Sequence, residues 1–414
     1  MINYMLENRA VPEIIADKAK LIAIKERLGA PEVFEIKADS MIDAHRILGE
    51  KVGEQARKIL GVKLDEMKLN QFGGAIIFSR QIRRLLEAKI KDTSIDKAIR
   101  DGLEEYLSCL DAWGKAAELK QELKERKFLA NVSAEGKFVS SEDLALFLQN
   151  DNNGCQTVLY RDQGGSVILW HTEEDDEEGR VEKARMVDMQ IKDGAEMQAF
   201  VFPDLLPGSG FGKNKQYLQA TDFLFLKGEN RPAVLANVVA WLALRLGNKI
   251  PPEDIIKALG PYVDGYALNT VRIENGRVIG KKIEFMHEEM QVTDLASEAG
   301  AYLAQVNVLS SEDAALRERH EEIPPEEDRD VYERRIKRVD RTIHLIRHLA
   351  DRTKMFENLW RTFSFRVGGN EFANAGIYGK AQWLAKLTKD GQIVERFASG
   401  PGIKDEKFIE LKNQ

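Results

Sequence analysis

Cysteine is nearly missing from this chain, with only Cys109 and Cys155 in 414 residues. Two thiols cannot make a disulfide framework, and without CxxC spacing they do not make a zinc site. A reducing cytoplasm is the expected setting, where a lone cysteine matters only if its surroundings activate it. Long apolar runs are lacking too. No stretch approaches the ~20 residues that cross a bilayer, and the opening MINYMLENRAVPEII has neither the basic start nor the apolar core of a signal peptide. A surplus of positive charge is also absent. Sixty-one basic against 68 acidic residues leave a net charge of −7, which excludes the general phosphate-binding footprint of a nucleic-acid protein. Among the six histidines only His344 and His348 have ligand spacing, and no third ligand accompanies them. No metal and no cofactor are therefore expected. GSGFG at 208–212 has no following Lys-Ser/Thr and no Rossmann context, so it reads as a turn or substrate-lining loop.

The chain changes character near residue 150. Before it, apolar residues recur at helical spacing over 12–29, 41–60, 74–90 and about 94–126, so the first third reads as almost all helix. After it the period switches to two. CQTVLYRD and SVILWHTE flank Gln163-Gly164-Gly165 as a hairpin, and Asn275-Gly276 inside 269–286 marks another. Further strands are predicted at 183–191, 198–203, 217–226 and 301–309, then over FANAGIYG, AQWLAKLT and QIVERFAS. Helices are predicted at 231–247, after Pro251-Pro252, and at roughly 331–358. Strands that come as hairpins argue for an α+β fold with antiparallel sheets rather than a doubly wound parallel sheet.

Cys155 opens the first of these strands, directly after the turn-prone Asn150-Asp151-Asn152-Asn153-Gly154. A thiol between a mobile loop and a rigid strand combines access with position. It still needs a base. Scission of the Gly154–Cys155 bond would supply one, because the new α-amino group, with an ordinary pKa of about 8, lies within reach of its own sulfur. Cys109, on a helix face beside Leu107 and Leu110, reads as core packing.

Beyond Cys155 the order of motifs resembles the penicillin acyltransferase-type family of cysteine N-terminal-nucleophile (Ntn) hydrolases, relatives of isopenicillin N acyltransferase, with choloylglycine hydrolases and acid ceramidase as more distant cousins. The resemblance covers roughly 140–400. It rests on DNNGCQTVLYRDQGGSVILWHTEED, LPGSGFGKNKQYLQATDFLF, IGKKIEFMHEEMQVTDLASEAGAYLAQVNVL, DVYERRIKRV and NAGIYGKAQWLAKL with VERFASGPG. It implies a four-layer αββα sandwich over 155–414, preceded by a mostly helical propeptide or small subunit over 1–154, with autocatalytic cleavage between Gly154 and Cys155. Cys155 matches the nucleophile, Asn307 the oxyanion donor and Arg335 the arginine near the nucleophile, with Arg334 adjacent. Glu173 or Glu174 matches the acidic residue after the second strand. Asn214 and Asp222 of the glycine-rich strand, with His171, would line the substrate. The sequence departs from the family where Gln156 follows the cysteine, where Thr172-Glu173-Glu174 replaces Asn-x-Asp, and where Asp222 replaces an asparagine.

These readings imply a self-processing amidohydrolase or acyltransferase acting on a small-molecule linear amide through an acyl-thioester on Cys155. Its partners would be that acyl-amide and its own N-terminal fragment as a bound subunit, and it could assemble as a homo-oligomer. Two alternatives stand beside it. One is a binding or scaffold protein that keeps the fold without processing. The other is a papain-like thiol hydrolase in which His171 pairs with Cys155.

Overall fold

The computed structural model describes residues 31–67, 69–125, 139–149, 154–175, 185–224, 226, 233–306, 309, 378–399 and 409–411. Among them are fourteen strands and seven helices. The helices are α1 (Met41–Glu66), α2 (Leu69–Lys91), α3 (Lys97–Ala116), α4 (Leu119–Glu125), α5 (Ser141–Leu148), α6 (Ala236–Leu246) and α7 (Pro252–Leu259).

Eight strands form one sheet in the order β1-β4-β5-β6-β7-β8-β9-β10. They are β1 (Glu32–Ala38), β4 (Arg185–Ile191), β5 (Glu196–Phe200), β6 (Phe211–Asn214), β7 (Tyr217–Phe223), β8 (Gly265–Glu274), β9 (Arg277–Met286) and β10 (Glu289–Asp294). The other six, in the order β11-β2-β3-β12-β13-β14, form the second sheet. These are β2 (Gly154–Arg161), β3 (Val167–Asp175), β11 (Tyr302–Val306), β12 (Tyr378–Leu387), β13 (Ile393–Ser399) and β14 (Ile409–Leu411). All pairings are antiparallel except β1 with β4.

The sheets lie face to face. Leu159, Val167, Leu169, Trp383 and Phe397 of one interdigitate with Met186, Phe200, Phe211, Leu218 and Val271 of the other. Alternation along each strand sends the intervening residues to the opposite face. On the eight-stranded sheet Val187, Met189, Leu268 and Phe285 thereby join the core beneath the helices, with Trp113 of α3 and Trp241 of α6 fully buried there. Burying each side chain of this size contributes roughly 1.5–3 kcal/mol. The observed body is an α+β two-sheet sandwich with helices on the eight-stranded side. The helix expected at roughly 331–358 lies outside the described residues, as does the one expected at 12–29.

Two expectations are refined by the structure, and a third lies mostly outside the described residues. The first third, read as almost all helix, also carries one strand, because EVFEIKA forms β1 and lies parallel to β4 at the sheet edge. The single helix expected at 94–126 breaks after α3, where Glu118 takes φ +54° before α4 begins. Of the strand expected at FANAGIYG only Tyr378 and Gly379 are described, where they open β12, and AQWLAKL continues it. The segment before Gly154 is thus built into the body. Its helices share one core with α6, and Gly49 on α1 lets the backbones close in, since a Cβ there would stand 2.6 Å from the Trp113 carbonyl oxygen.

The approach to Cys155 is fixed by polar contacts. Ser140 and Asp143 form a capping box that starts α5, and Arg80 of α2 holds the same Asp143 with two hydrogen bonds. Gln149, at the end of α5, is buried and tied on three sides. Its Nε2 donates to the Asp204 carbonyl (3.3 Å), its Oε1 accepts from Leu206 N (3.1 Å), and its own carbonyl accepts from Asn237 Nδ2 (2.5 Å).

Candidate active site

β2 and β3 form a hairpin whose register sets Cys155 opposite Glu173 and Thr157 opposite His171. These four residues share the face turned to the eight-stranded sheet, the same face as Leu159 and Leu169 in the inter-sheet core. That core is apolar through Leu159, Leu169 and Phe211 and turns polar at Cys155. There Cys155 is only 4% exposed and Glu173, His171 and Thr157 are fully buried.

The polar groups form one continuous chain of hydrogen bonds. The Cys155 thiol donates to Glu173 Oε2 at 3.1 Å. Glu173 Oε1 stands 2.8 Å from His171 Nε2, and His171 Nδ1 stands 2.8 Å from Thr157 Oγ1. Thr157 donates to Asp222 Oδ2 on β7 (2.6 Å), which also accepts from Asn269 Nδ2 on β8 (2.8 Å). Proton bookkeeping orders this chain. Thr157 has one hydroxyl hydrogen and spends it on a carboxylate oxygen that already accepts from an amide, so Thr157 Oγ1 must accept from His171 Nδ1–H. Nε2 then points at Glu173, and that contact requires one shared proton. The thiol contact holds a second. The imidazole ring is further fixed by Phe211, whose centroid is 5.4 Å away.

Lys282 and Glu284 of β9 add charges to this polar region, and both are almost fully buried. Burial lowers the Lys282 pKa, opposed by the negative charges of Glu284 and Asp222. By contrast Cys109 lies in the helical core, where burial pushes its thiol pKa well up. It is a packing residue.

Above the thiol is a small pocket lined by Cys155, Glu173, Phe202, Leu205, Gly210 and Tyr266, with Ser209 and Thr221 adding hydroxyls. Gly210 sits at φ +84°. A Cβ at that position would stand 2.5 Å from Glu173 Oε1, so only glycine allows the loop to close over the carboxylate. Thr221 Oγ1 accepts from Gly210 N at 2.7 Å and anchors the loop to β7. Ser209 Oγ and Tyr266 Oη both donate to Asn237 Oδ1, at 2.5 and 2.6 Å, and the same Asn237 grips Gln149. The stretch read as a turn or substrate-lining loop contributes Ser209 and Gly210 to the pocket at Cys155.

The structure brings Cys155, Glu173, His171 and, through Thr157, Asp222 together. It does not bring Asn214. That side chain sits at the β6–β7 turn and donates to the Leu244 and Arg245 carbonyls, at 3.0 and 2.8 Å, satisfying the C-terminal end of α6. Glu174 lies in register with Gly154 and Gly379. Asn307, Arg334 and Arg335 lie outside the described residues.

Sequence reasoning gave no role to Thr157, Asn269, Lys282 or Glu284. The available signal was the presence of polar residues at inward positions of otherwise apolar strands. A scan against protein-family models finds no match to the chain, and neither does a search of curated proteins.

Proposed function

We propose that the chain is a self-processing cysteine amidohydrolase or acyltransferase that cleaves its own Gly154–Cys155 bond and then works on a small linear amide. The observation that carries this reading is the contact between the Cys155 thiol and the buried Glu173 carboxylate, directly after Gly154, in the interlayer of a two-sheet sandwich. The motif order from 140 to 400 supports it independently.

Before scission Cys155 has no free amine, so the first turnover needs another base. Glu173 Oε2 accepts the thiol proton, and His171, oriented by Thr157 and Asp222, stabilises the resulting charge. The thiolate attacks the Gly154 carbonyl carbon. The C–S bond forms, the C–N bond breaks, and the nitrogen takes a proton to become the α-amino group of Cys155. Water then cleaves the thioester, leaving a Gly154 carboxylate and a regenerated thiol. In later turnovers the α-amino group takes the thiol proton while Glu173 holds that amine in place. A positioned base of this kind contributes about 10²–10⁴-fold in rate.

The intact mass and N-terminal sequence of purified protein test the reading. Wild type is expected as two fragments, 1–154 and 155–414, and Cys155→Ala as one uncut chain. Active wild type that yields no chain beginning at cysteine overturns it. In that event the 2.8 Å contact of His171 with Glu173 favours an intact-chain thiol hydrolase. Its thiol chemistry would then disappear in His171→Ala.

A further inference from the structure

We propose that Cys155, His171 and Glu173 form a capture site for a zinc ion, reversible and exclusive of chemistry at the thiol. One ligand atom from each, Sγ, Nε2 and a carboxylate oxygen, lies within 4.8 Å of the others, and all three residues are buried. Three protein ligands of sulfur, nitrogen and oxygen type with a fourth position open match the make-up of an accessible zinc centre. With Zn–S near 2.3 Å and Zn–N near 2.0–2.1 Å, the sulfur and nitrogen of a tetrahedral site stand roughly 3.5 Å apart. The thiol and the imidazole each contact Glu173, and the three ligand atoms already lie within 4.8 Å of one another, so binding calls for a shift of about 1 Å in the thiol and the carboxylate while Thr157 keeps its hold on the ring.

The surroundings favour the ion in two further ways. A metal-binding imidazole needs its other nitrogen held by a hydrogen-bonded partner. His171 Nδ1 has one in Thr157, itself anchored by Asp222. Two of the three ligands, Cys155 and Glu173, line the small pocket beside Ser209, Gly210 and Thr221, where a single water would complete the shell.

Charge also balances. The thiol–carboxylate and carboxylate–imidazole contacts together hold two protons, and one Zn²⁺ takes their place. Both protons leave to the solvent, so the buried region keeps its net charge. The hydrolase reading is not required, because zinc is bound by the ground-state side chains.

Calorimetric titration of the full chain with ZnCl₂ alone tests the proposal. A single equivalent is expected to bind in wild type, with Mg²⁺ and Ca²⁺ failing to compete because neither favours sulfur or imidazole. Cys155→Ser and His171→Asn should each abolish that equivalent. Thr157→Val, which keeps all three ligands, should weaken it by about 10–100-fold. Zinc should also protect Cys155 from alkylation by iodoacetamide. This readout is unaffected by any misfolding of the variants, since it uses wild type alone. Zinc bound equally well by Cys155→Ser and His171→Asn, or wild-type alkylation unchanged by zinc, overturns the proposal. Loss of zinc binding in a chain that still cuts itself would sink this inference and spare the proposed function. Zinc binding in a chain that never cuts would do the reverse.

Discussion

At Gly210 two constraints meet in one residue, a φ of +84° and a Cβ position 2.5 Å from Glu173 Oε1. Gly210→Ala is expected to cost about 1–3 kcal/mol of stability, read by chemical denaturation. It should also slow Cys155 alkylation, because the displaced carboxylate no longer draws on the thiol proton. Asp222→Asn acts from farther away. It removes the charge that fixes the Thr157 hydroxyl and hence the His171 tautomer, and it should lower the self-cleavage rate by about 10–100-fold with the fold intact. The rate of fragment appearance on a denaturing gel measures this. Cys155 was singled out in the sequence because Gly-Cys stands where a polar run meets a strand. Glu173 was only half legible. It opens the acidic run EEDDEE, which reads as solvated, and only the register opposite Cys155 buries it. The link from Thr157 to Asp222 spans 65 residues, and no local pattern reveals which distant strand will lie against it.

Among the elements, α1 carries a pH-sensitive joint. His45 is fully buried between α1 and α6, its Nδ1 donating to the Met41 carbonyl and its Nε2 accepting from Trp241 Nε1. Burial lowers its pKa from the ordinary 6.5 to about 4, only partly opposed by the Met41 contact. Between those values the unfolded chain binds a proton that the folded chain refuses. Stability from this site is therefore complete above pH 6.5 and is lost as pH falls towards 4, by about 3 kcal/mol in all. Asp264 runs the other way, since burial raises its pKa from 3.8 to about 6, so stability from it declines as pH rises across that range. The difference between wild type and His45→Gln isolates the histidine. Thermal melts of the two should converge as pH drops from 6.5 to 4. Hairpins were the legible elements here: Asn275 and Gly276 take φ +49° and +72°, the left-handed pair that such a turn demands. β1 was not legible, because its seven residues precede a 26-residue helix and gain their pairing from β4, far along the chain.

For the whole molecule, no boundary of packing falls at Cys155 among the described residues. α1, α3 and α5 share their core with α6 and with β4 and β5, so cutting one peptide bond exposes little apolar surface. The two fragments of cleaved protein are expected to co-elute in native gel filtration and to separate only in denaturant. Fragments that part under native conditions would contradict this shared core. Antiparallel hairpins and a preceding helical segment could be read from periodicity and the two-sheet arrangement only from the resemblance, whereas the stacking of those helices on the eight-stranded sheet depends on contacts no window of sequence contains. The grip on Gln149 has its own outcome. If the chain is cut as proposed, the new carboxyl end lies only five residues, 150–154, beyond that anchor. Fully stretched, such a tether reaches roughly 17 Å. Within that reach the new carboxyl end would stay close enough to the sulfur to compete with substrate for the same opening.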